Sequence, residues 1–286
     1  MKTRIVLVLV FGLLIAWSLK TTLFRDGNGS KKNNDQNVAE SSLTEEVHSF
    51  SLTGYSESGE EAWKIHGRNA DIHADVINLF EISADSFNKK ITVNLVADEG
   101  FFDKKSNNIQ LKDNVIVTTS EETTLNTQSL SWNAKDEFIT TDDLVYIKRK
   151  DIDIEGIGAT ASPGLEKARL AKDVKLLIKE HGAVISCDGP LDIDYNKNIA
   201  YFYNKVGLDD GQTKIKADKA IAYFDPEKRD ISKVICEGNV EITKDGNITN
   251  AKVLTYLPNE KRVILSGRPK IVINSADELM KEYEKK

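Results

Sequence analysis

The chain has 286 residues, a formal charge of −6, 40% hydrophobic and 29% charged residues, and two cysteines. This supports a full core, of one large domain or two ordinary ones, and excludes both a disordered chain and a disulfide-framed mini-protein. Residues 1–25 carry Lys2, Arg4, Lys20 and Arg25 and no acid, so the remainder holds −10; a body that acidic lacks the clustered cations phosphate backbones need, and no nucleic-acid partner is expected.

From Ile5 to Leu19 the sequence reads IVLVLVFGLLIAWSL, fifteen residues without a charge. A spanning helix needs roughly 17–25 apolar residues, fewer when a flanking lysine such as Lys20 snorkels. Residues 1–25 are therefore expected to be an N-terminal membrane anchor, one transmembrane helix through residues 5–19. Lys2 and Arg4 place its N-terminus in the cytoplasm and the body outside. A cleaved signal peptide also fits the apolar length, although no small-x-small cleavage site follows in WSLKTTLFRD. A buried core helix is a third reading. Residues 26–47, DGNGSKKNNDQNVAESSLTEEV, contain no aromatic and read as a flexible linker.

The body, 48–273, reads as strands. Apolar and polar residues alternate in IQLKDNVIV and VICEGNVEI, separated by turns such as DKKSNN, DPEKRD and LPNEKR. A block with a small-residue entry, an aromatic, a polar turn and a paired apolar strand recurs. It starts weakly at Gly67, then at Ala97, Thr127, Gly156, Cys187, Ala217 and Asn250, at intervals of 30, 30, 29, 31, 30 and 33 residues. Such regularity marks an internal repeat. Each of the seven units supplies two short strands and a turn, and SLTGYSESGEEAWKIHG adds an opening hairpin. Units that bury one face each must stack to share a core. The expected fold is all-β: an elongated antiparallel β-jelly roll or U-shaped repeat stack of about 14–16 strands.

Alternation assigns the inward face. Ile109, Leu111, Val115 and Val117 share it, as do Ile139, Val145 and Ile147, and Leu170, Val174 and Leu176. The later equivalents are Ile199, Tyr201, Val206 and Leu208; Val234, Cys236, Val240 and Ile242; and Val263, Leu265, Ile271 and Ile273. Gly and Asn interrupt these faces at DN, GN and GR, which predicts bulges or bends. The inner face is either a solid core or a slit lined by branched aliphatics that opens to take acyl chains; the pattern does not separate the two. For the slit, the lipid-contacting candidates are Ile109, Leu111, Val115, Val117, Ile139, Val145, Ile147, Leu170, Val174, Leu176, Val206 and Val240.

The inventory of catalytic groups is thin. His48, His66, His73 and His181 are scattered, and only His66 and His73 approach ligand spacing. GIGATA at Gly156 mimics a dinucleotide fingerprint, but Pro163 and Gly164 bar the helix that would hold a pyrophosphate. Ser86 and Lys89 form an S-x-x-K outside a helix start. Asp192, Asp194, Asp209 and Asp210 read as solvated faces, with a carboxylate pair for sugar hydrolysis as the sharper alternative. No cofactor, metal or catalytic residue is assigned. Cys187 and Cys236 sit at different repeat offsets and are either a disulfide or two buried small side chains. The tail, 274–286, opens on a capping box, Ser275 with Glu278, and is expected to form a short helix over the last strand edge.

FSLTGYSESGEEAWKIHGRNADI, through Phe50, Gly54, Tyr55, Gly59, Trp63 and Ala70, following a short N-terminal anchor, resembles the membrane-anchored LptC-type family of lipopolysaccharide export. ADKAIAYFDPEKRDISKVICEGNVEI is similar to the OstA-like repeats of LptA-like proteins. The resemblance implies a non-catalytic lipid-transfer protein, single-pass in the inner membrane with a periplasmic body. It implies as partners lipopolysaccharide, inner-membrane ABC transporter subunits, and an LptA-like β-jelly-roll protein joined by edge-to-edge strand pairing. A structural repeat protein and a carbohydrate-active one remain the alternatives.

Overall fold

The computed structural model describes residues 45–55, 61–87, 92–133, 135–136, 138–162, 166–180, 182–225, 231–260 and 262–272. The anchor at 1–25, most of the linker and the tail at 274–286 lie outside the described residues. Seventeen strands are described. They are β1 (Glu45–Tyr55), β2 (Glu61–Ile72), β3 (Val76–Phe87), β4 (Thr92–Asp103), β5 (Ile109–Thr119), β6 (Thr124–Asn133), β7 (Phe138–Lys148), β8 (Ile152–Ser162) and β9 (Lys167–Ile178). They continue as β10 (Ala183–Cys187), β11 (Leu191–Asp194), β12 (Ile199–Asp209), β13 (Thr213–Phe224), β14 (Ile231–Lys244), β15 (Asn247–Leu257), β16 (Arg262–Ser266) and β17 (Lys270–Val272).

The described residues fall into two compact units. The N-terminal unit runs to Asp143 and includes 161–162; the C-terminal unit holds Leu144–Thr160 and the chain from Glu166. In the first, β1 to β6 form an antiparallel meander, each strand pairing with the next. In the second, β9 pairs antiparallel with both β10 and β11, both of which pair with β12; β12 to β15 continue the meander, and β15 pairs with both β16 and β17. Two strands per repeat, as the period implies, would give fourteen strands plus β1. The count rises to seventeen because two strands are split in half, β10/β11 at Gly189-Pro190 and β16/β17 at Gly267-Arg268-Pro269. Proline has no N–H to give the ladder, so the strand is interrupted there.

The unsplit strands are 10–14 residues long rather than short, because each turns a corner midway. At Asp113 and Asn114 of β5 the backbone is left-handed, with φ of 58° and 51°; Asn204 and Lys205 of β12 have φ of 63° and 50°, and Gly238 and Asn239 of β14 have 77° and 45°. Each site adds one residue relative to its neighbours. Lys112 pairs with Ser129 but Val115 with Thr127, Tyr203 with Lys219 but Val206 with Ala217, and Glu237 with Val253 but Val240 with Ala251. These are β-bulges, and Asn, Asp and Gly are the residues that tolerate the left-handed region. DN and GN thus mark the corners, as read from the sequence. Two corners carry the same clasp. Asn114 Nδ2 donates to Asp98 Oδ2 at 2.6 Å, and Asn239 Nδ2 donates to Asp218 Oδ2 at 2.9 Å. The repeat entries that open Ala97-Asp98 and Ala217-Asp218 supply the acceptors.

The corners set the inner face. Across the bulge the buried residues step by four: Leu111 to Val115, Leu170 to Val174, Phe202 to Val206, Cys236 to Val240. On the neighbouring strands they step by three: Ala97 to Gly100, Thr127 to Leu130, Ala217 to Ala220. Each strand therefore keeps the same side inward before and after the bend, while residues such as Asp98 and Gln128 face out at the corner. In the N-terminal unit a Cβ on Gly100 would lie 2.5 Å from Ile82 Cδ1, a side chain from the other side of the corner. This antiparallel sheet folded over its own apolar face matches the jelly-roll expectation.

Two outcomes are expected. A double-mutant cycle on Asn114→Ala and Asp98→Ala, read by urea denaturation, should return a coupling of about 0.5–1 kcal/mol for this solvent-exposed clasp. Gly238→Ala should lower stability by about 1–3 kcal/mol, since φ is left-handed there and the new methyl would press on the Asp218 carboxylate.

Candidate functional site

The repeat builds an apolar inner face, and the twelve candidates separate by burial. Val115 (0% exposed), Val117, Ile139, Val145, Ile147, Leu111, Leu170, Val174, Val206 and Val240 are buried. Ile109 and Leu176 are half-buried. Ile109 pairs with the buried Trp132 and Leu176 with the buried Ile185, so both share the inner side. Candidates from each unit line that unit's own interior.

One assignment is corrected. Ile199 and Tyr201 do not face inward; Ala200 and Phe202 do, at 3% exposure each. Leu191 pairs with Phe202 and Ala200 with Ala222, all inner residues, while Asp192 pairs with Tyr201 on the outside. The four-residue step across the bulge puts Phe202, not Tyr201, in phase with Val206. Tyr201 instead stacks on Tyr203, with ring centroids 6.2 Å apart, and Lys219 Nζ lies 5.5 Å and 5.4 Å from the two rings. Sequence reading also passed over Leu125, Leu130, Trp132 and Leu254, all buried. The three-residue step on β6 and β15 hides them from simple alternation.

In the C-terminal unit Phe202, Val206, Ala217, Ala220, Ala222 and Cys236 border one enclosed apolar space, drawn from both sides of the corners. Its volume is about 20 Å³, room for one water and far short of an acyl chain. The inner face then continues outward. Val263 and Ile271 pair with Tyr256 and Thr249 on the inner side of β15, yet are 54% and 63% exposed.

The polar candidates are absorbed by structure. Asp192 takes two hydrogen bonds from Arg169, at 2.5 and 2.8 Å. Asp194 accepts from the Lys197 amide and pairs with its Nζ at 3.2 Å. Asp209 accepts from Gly211 N and pairs with Lys214; the Gly211 amide and Lys214 together hold its carboxyl below the usual range. Asp210 accepts from the Gln212 and Thr213 amides. GIGATA lies within β8, and Ser86 is buried at the end of β3, while Lys89 lies outside the described residues. His73 Nε2 is 3.4 Å from Asn78 Nδ2, and His66 is exposed on β2. Among the described residues no three His, Cys, Asp or Glu side chains gather as a metal site.

Cys187 and Cys236 are free and buried. Burial pushes the Cys187 thiol up, and pushes that of Cys236 up to about 11.

These features define a class: an antiparallel all-β repeat protein of jelly-roll type, whose regular chemistry is its apolar inner face. The sequence profile described as "Lipopolysaccharide-assembly, LptC-related" matches residues 5–179, and that described as "LptA/(LptD N-terminal domain) LPS transport protein" matches residues 190–280. The first covers more than half of the chain, which therefore belongs to the LptC-related family of lipopolysaccharide assembly, with an LptA-like segment behind it. No curated protein matches the chain.

Leu254→Ala should destabilise the fold by about 2–5 kcal/mol, measured by urea denaturation, since Leu254 is 1% exposed. Cys236 should resist thiol reagents at pH 8 in the folded protein and react on unfolding. Because its folded pKa is raised, the folded state holds more protons between about pH 9 and 11. Stability should therefore fall as pH rises through that window, and Cys236→Ala should flatten the fall.

Proposed function

We propose that this chain is a non-catalytic carrier that receives lipopolysaccharide from an inner-membrane ABC transporter and passes it along its inner face towards the outer membrane. The single observation that carries the reading is the junction of the two family segments. The first match ends at residue 179, just after β9, and the second begins at 190, just before β11; β11 pairs with β9 from Leu191–Leu170 to Asp194–Lys167. The LptC-like segment and the LptA-like segment thus share one hydrogen-bonded ladder inside the C-terminal unit. The handover that edge-to-edge pairing would give two separate proteins is built here into one chain.

The exposed inner residues of the last strands, Val263 and Ile271, support a continuation of the same face into an LptA-like jelly-roll partner that pairs with the edge. An anchor through residues 5–19 would hold the body on the periplasmic side of the inner membrane. That segment lies outside the described residues, among which no helix is long and apolar enough to cross a membrane. Around the small apolar space of the C-terminal unit, the two sides of the fold would separate as acyl chains enter. The buried candidates Val115 and Val174 would then line the path.

A photo-crosslinking amino acid at Val115 or Val174, in cells, should give an adduct with lipopolysaccharide. A folded, expressed protein with no adduct at either position overturns the reading and favours a structural repeat protein with a solid core.

A further inference from the structure

Each unit holds one aromatic donor that the fold buries without use. Trp132 ends β6 in the N-terminal unit, on the inner side opposite Ile109, and is 3% exposed. Tyr195 opens the turn after β11 in the C-terminal unit, and is 8% exposed. Neither Trp132 Nε1 nor Tyr195 Oη has a hydrogen-bond partner among the described residues. Each lies beside a polar turn, at different repeat positions: Trp132 pairs with Ile109 as Ile193 pairs with Ala168, and Tyr195 stands two residues beyond Ile193, leading Asn196 to Asn198. The turns beside them are otherwise well satisfied. Asn133 Oδ1 accepts from the Lys135 and Asp136 amides at 3.0 Å each, and Asp194 Oδ1 from the Lys197 amide at 3.1 Å.

A buried donor left unpaired is costly, and native folds rarely keep one without a reason. Phenylalanine would pack in either place with no such cost. The sequence does use it at the corresponding turn of β4, where Phe102 leads Asp103 to Lys105. Tryptophan and tyrosine suit a site where one end of the side chain is apolar and the other meets a polar group. Burial also raises the Tyr195 phenol above its usual range, so it remains an O–H donor at any physiological pH.

We propose that Trp132 Nε1–H and Tyr195 Oη–H are lipid-recognition donors, one per unit, that bond the ester or amide carbonyls joining acyl chains to the sugars of a glycolipid. This deepens the carrier reading and rests on it. The valine-lined interior would hold the chains, which are alike in any lipid. The donors at its turn end would read the linkage region, which is particular to an acylated sugar. Without such a lipid neither aromatic donor has a partner among the described residues, and in the loaded protein both are paired. Thr123 Oγ1 is also buried without a partner, at the other end of β6. It lies at the opposite end of the strand from Trp132, away from the turn at Asn133.

The test uses the full chain in nanodiscs, wild type against Trp132→Phe and Tyr195→Phe. Purified lipopolysaccharide is the first probe and N-phenylnaphthylamine, an apolar dye without acyl carbonyls, the second. Each variant should bind lipopolysaccharide about fivefold to tenfold more weakly, bind the dye as the wild type does, and melt without lipid at an unchanged or higher temperature. Wild-type affinity for lipopolysaccharide in both variants overturns the donor assignment alone. So does a loss shared by both probes with a lower melting temperature, which marks a packing role. A wild-type protein that binds no lipopolysaccharide overturns the carrier reading and the donors with it.

Discussion

The left-handed corner is the constraint on which the rest of the fold depends. A flat two-stranded repeat would expose one of its faces along its whole length. At Asp113-Asn114, Asn204-Lys205 and Gly238-Asn239 an extra residue bends the strand, and the two sides of the bend can then bury their apolar residues against each other. Only residues that accept positive φ cheaply can occupy those positions. The Asn114–Asp98 and Asn239–Asp218 clasps tie two of the corners to the strand before them. The clasps are solvent-exposed, so each adds little energy. Their effect is on register, which a one-residue slip would invert for every side chain beyond the corner.

The interior follows from that bend. Four-residue steps on the bulged strands and three-residue steps on their neighbours bring Leu111, Val115, Leu130 and Trp132 to one side in the N-terminal unit. They bring Phe202, Val206, Ala220 and Cys236 together in the C-terminal unit. Branched aliphatics fill such a space without polar demands, so the inner face is chemically uniform for most of its length. Where it is not uniform, at Trp132 and at Tyr195, it carries donors with no partner among the described residues. The carrier proposed above would use both properties: a path that holds chains without specificity, and a few points that tell one lipid from another.

Family membership and structure meet at β9 and β11. Two profiles that describe separate segments end at residue 179 and begin at residue 190, yet strands of the two segments pair directly. Across the junction β9 pairs with β11 through four residue pairs in register. The division between the compact units lies earlier, at Asp143 and Leu144 within β7. Family segments and structural units thus divide the chain at different places, as stacked repeats allow, since each contacts chiefly its neighbours.

The sequence alone determined the period, the two strands per unit, the corners at DN and GN and most of the inner residues, but not the corner at Asn204-Lys205. A repeat of about 30 residues and an Asn or Gly at each bend are local facts written in residue order. It also determined that proline falls at Pro190 and Pro269, though not that each would split its strand. What tertiary structure decided was phase. Alternation holds within a straight strand and fails across a bulge, so Ile199 and Tyr201 read as inward when the bulge in fact sends Ala200 and Phe202 there. Satisfaction of polar atoms was equally invisible in residue order. Trp132 and Tyr195 look like ordinary core aromatics until the fold closes around them and leaves their N–H and O–H with no acceptor among the described residues. Hydrogen bonding is a property of neighbours in space, and the bent sheet sets those neighbours.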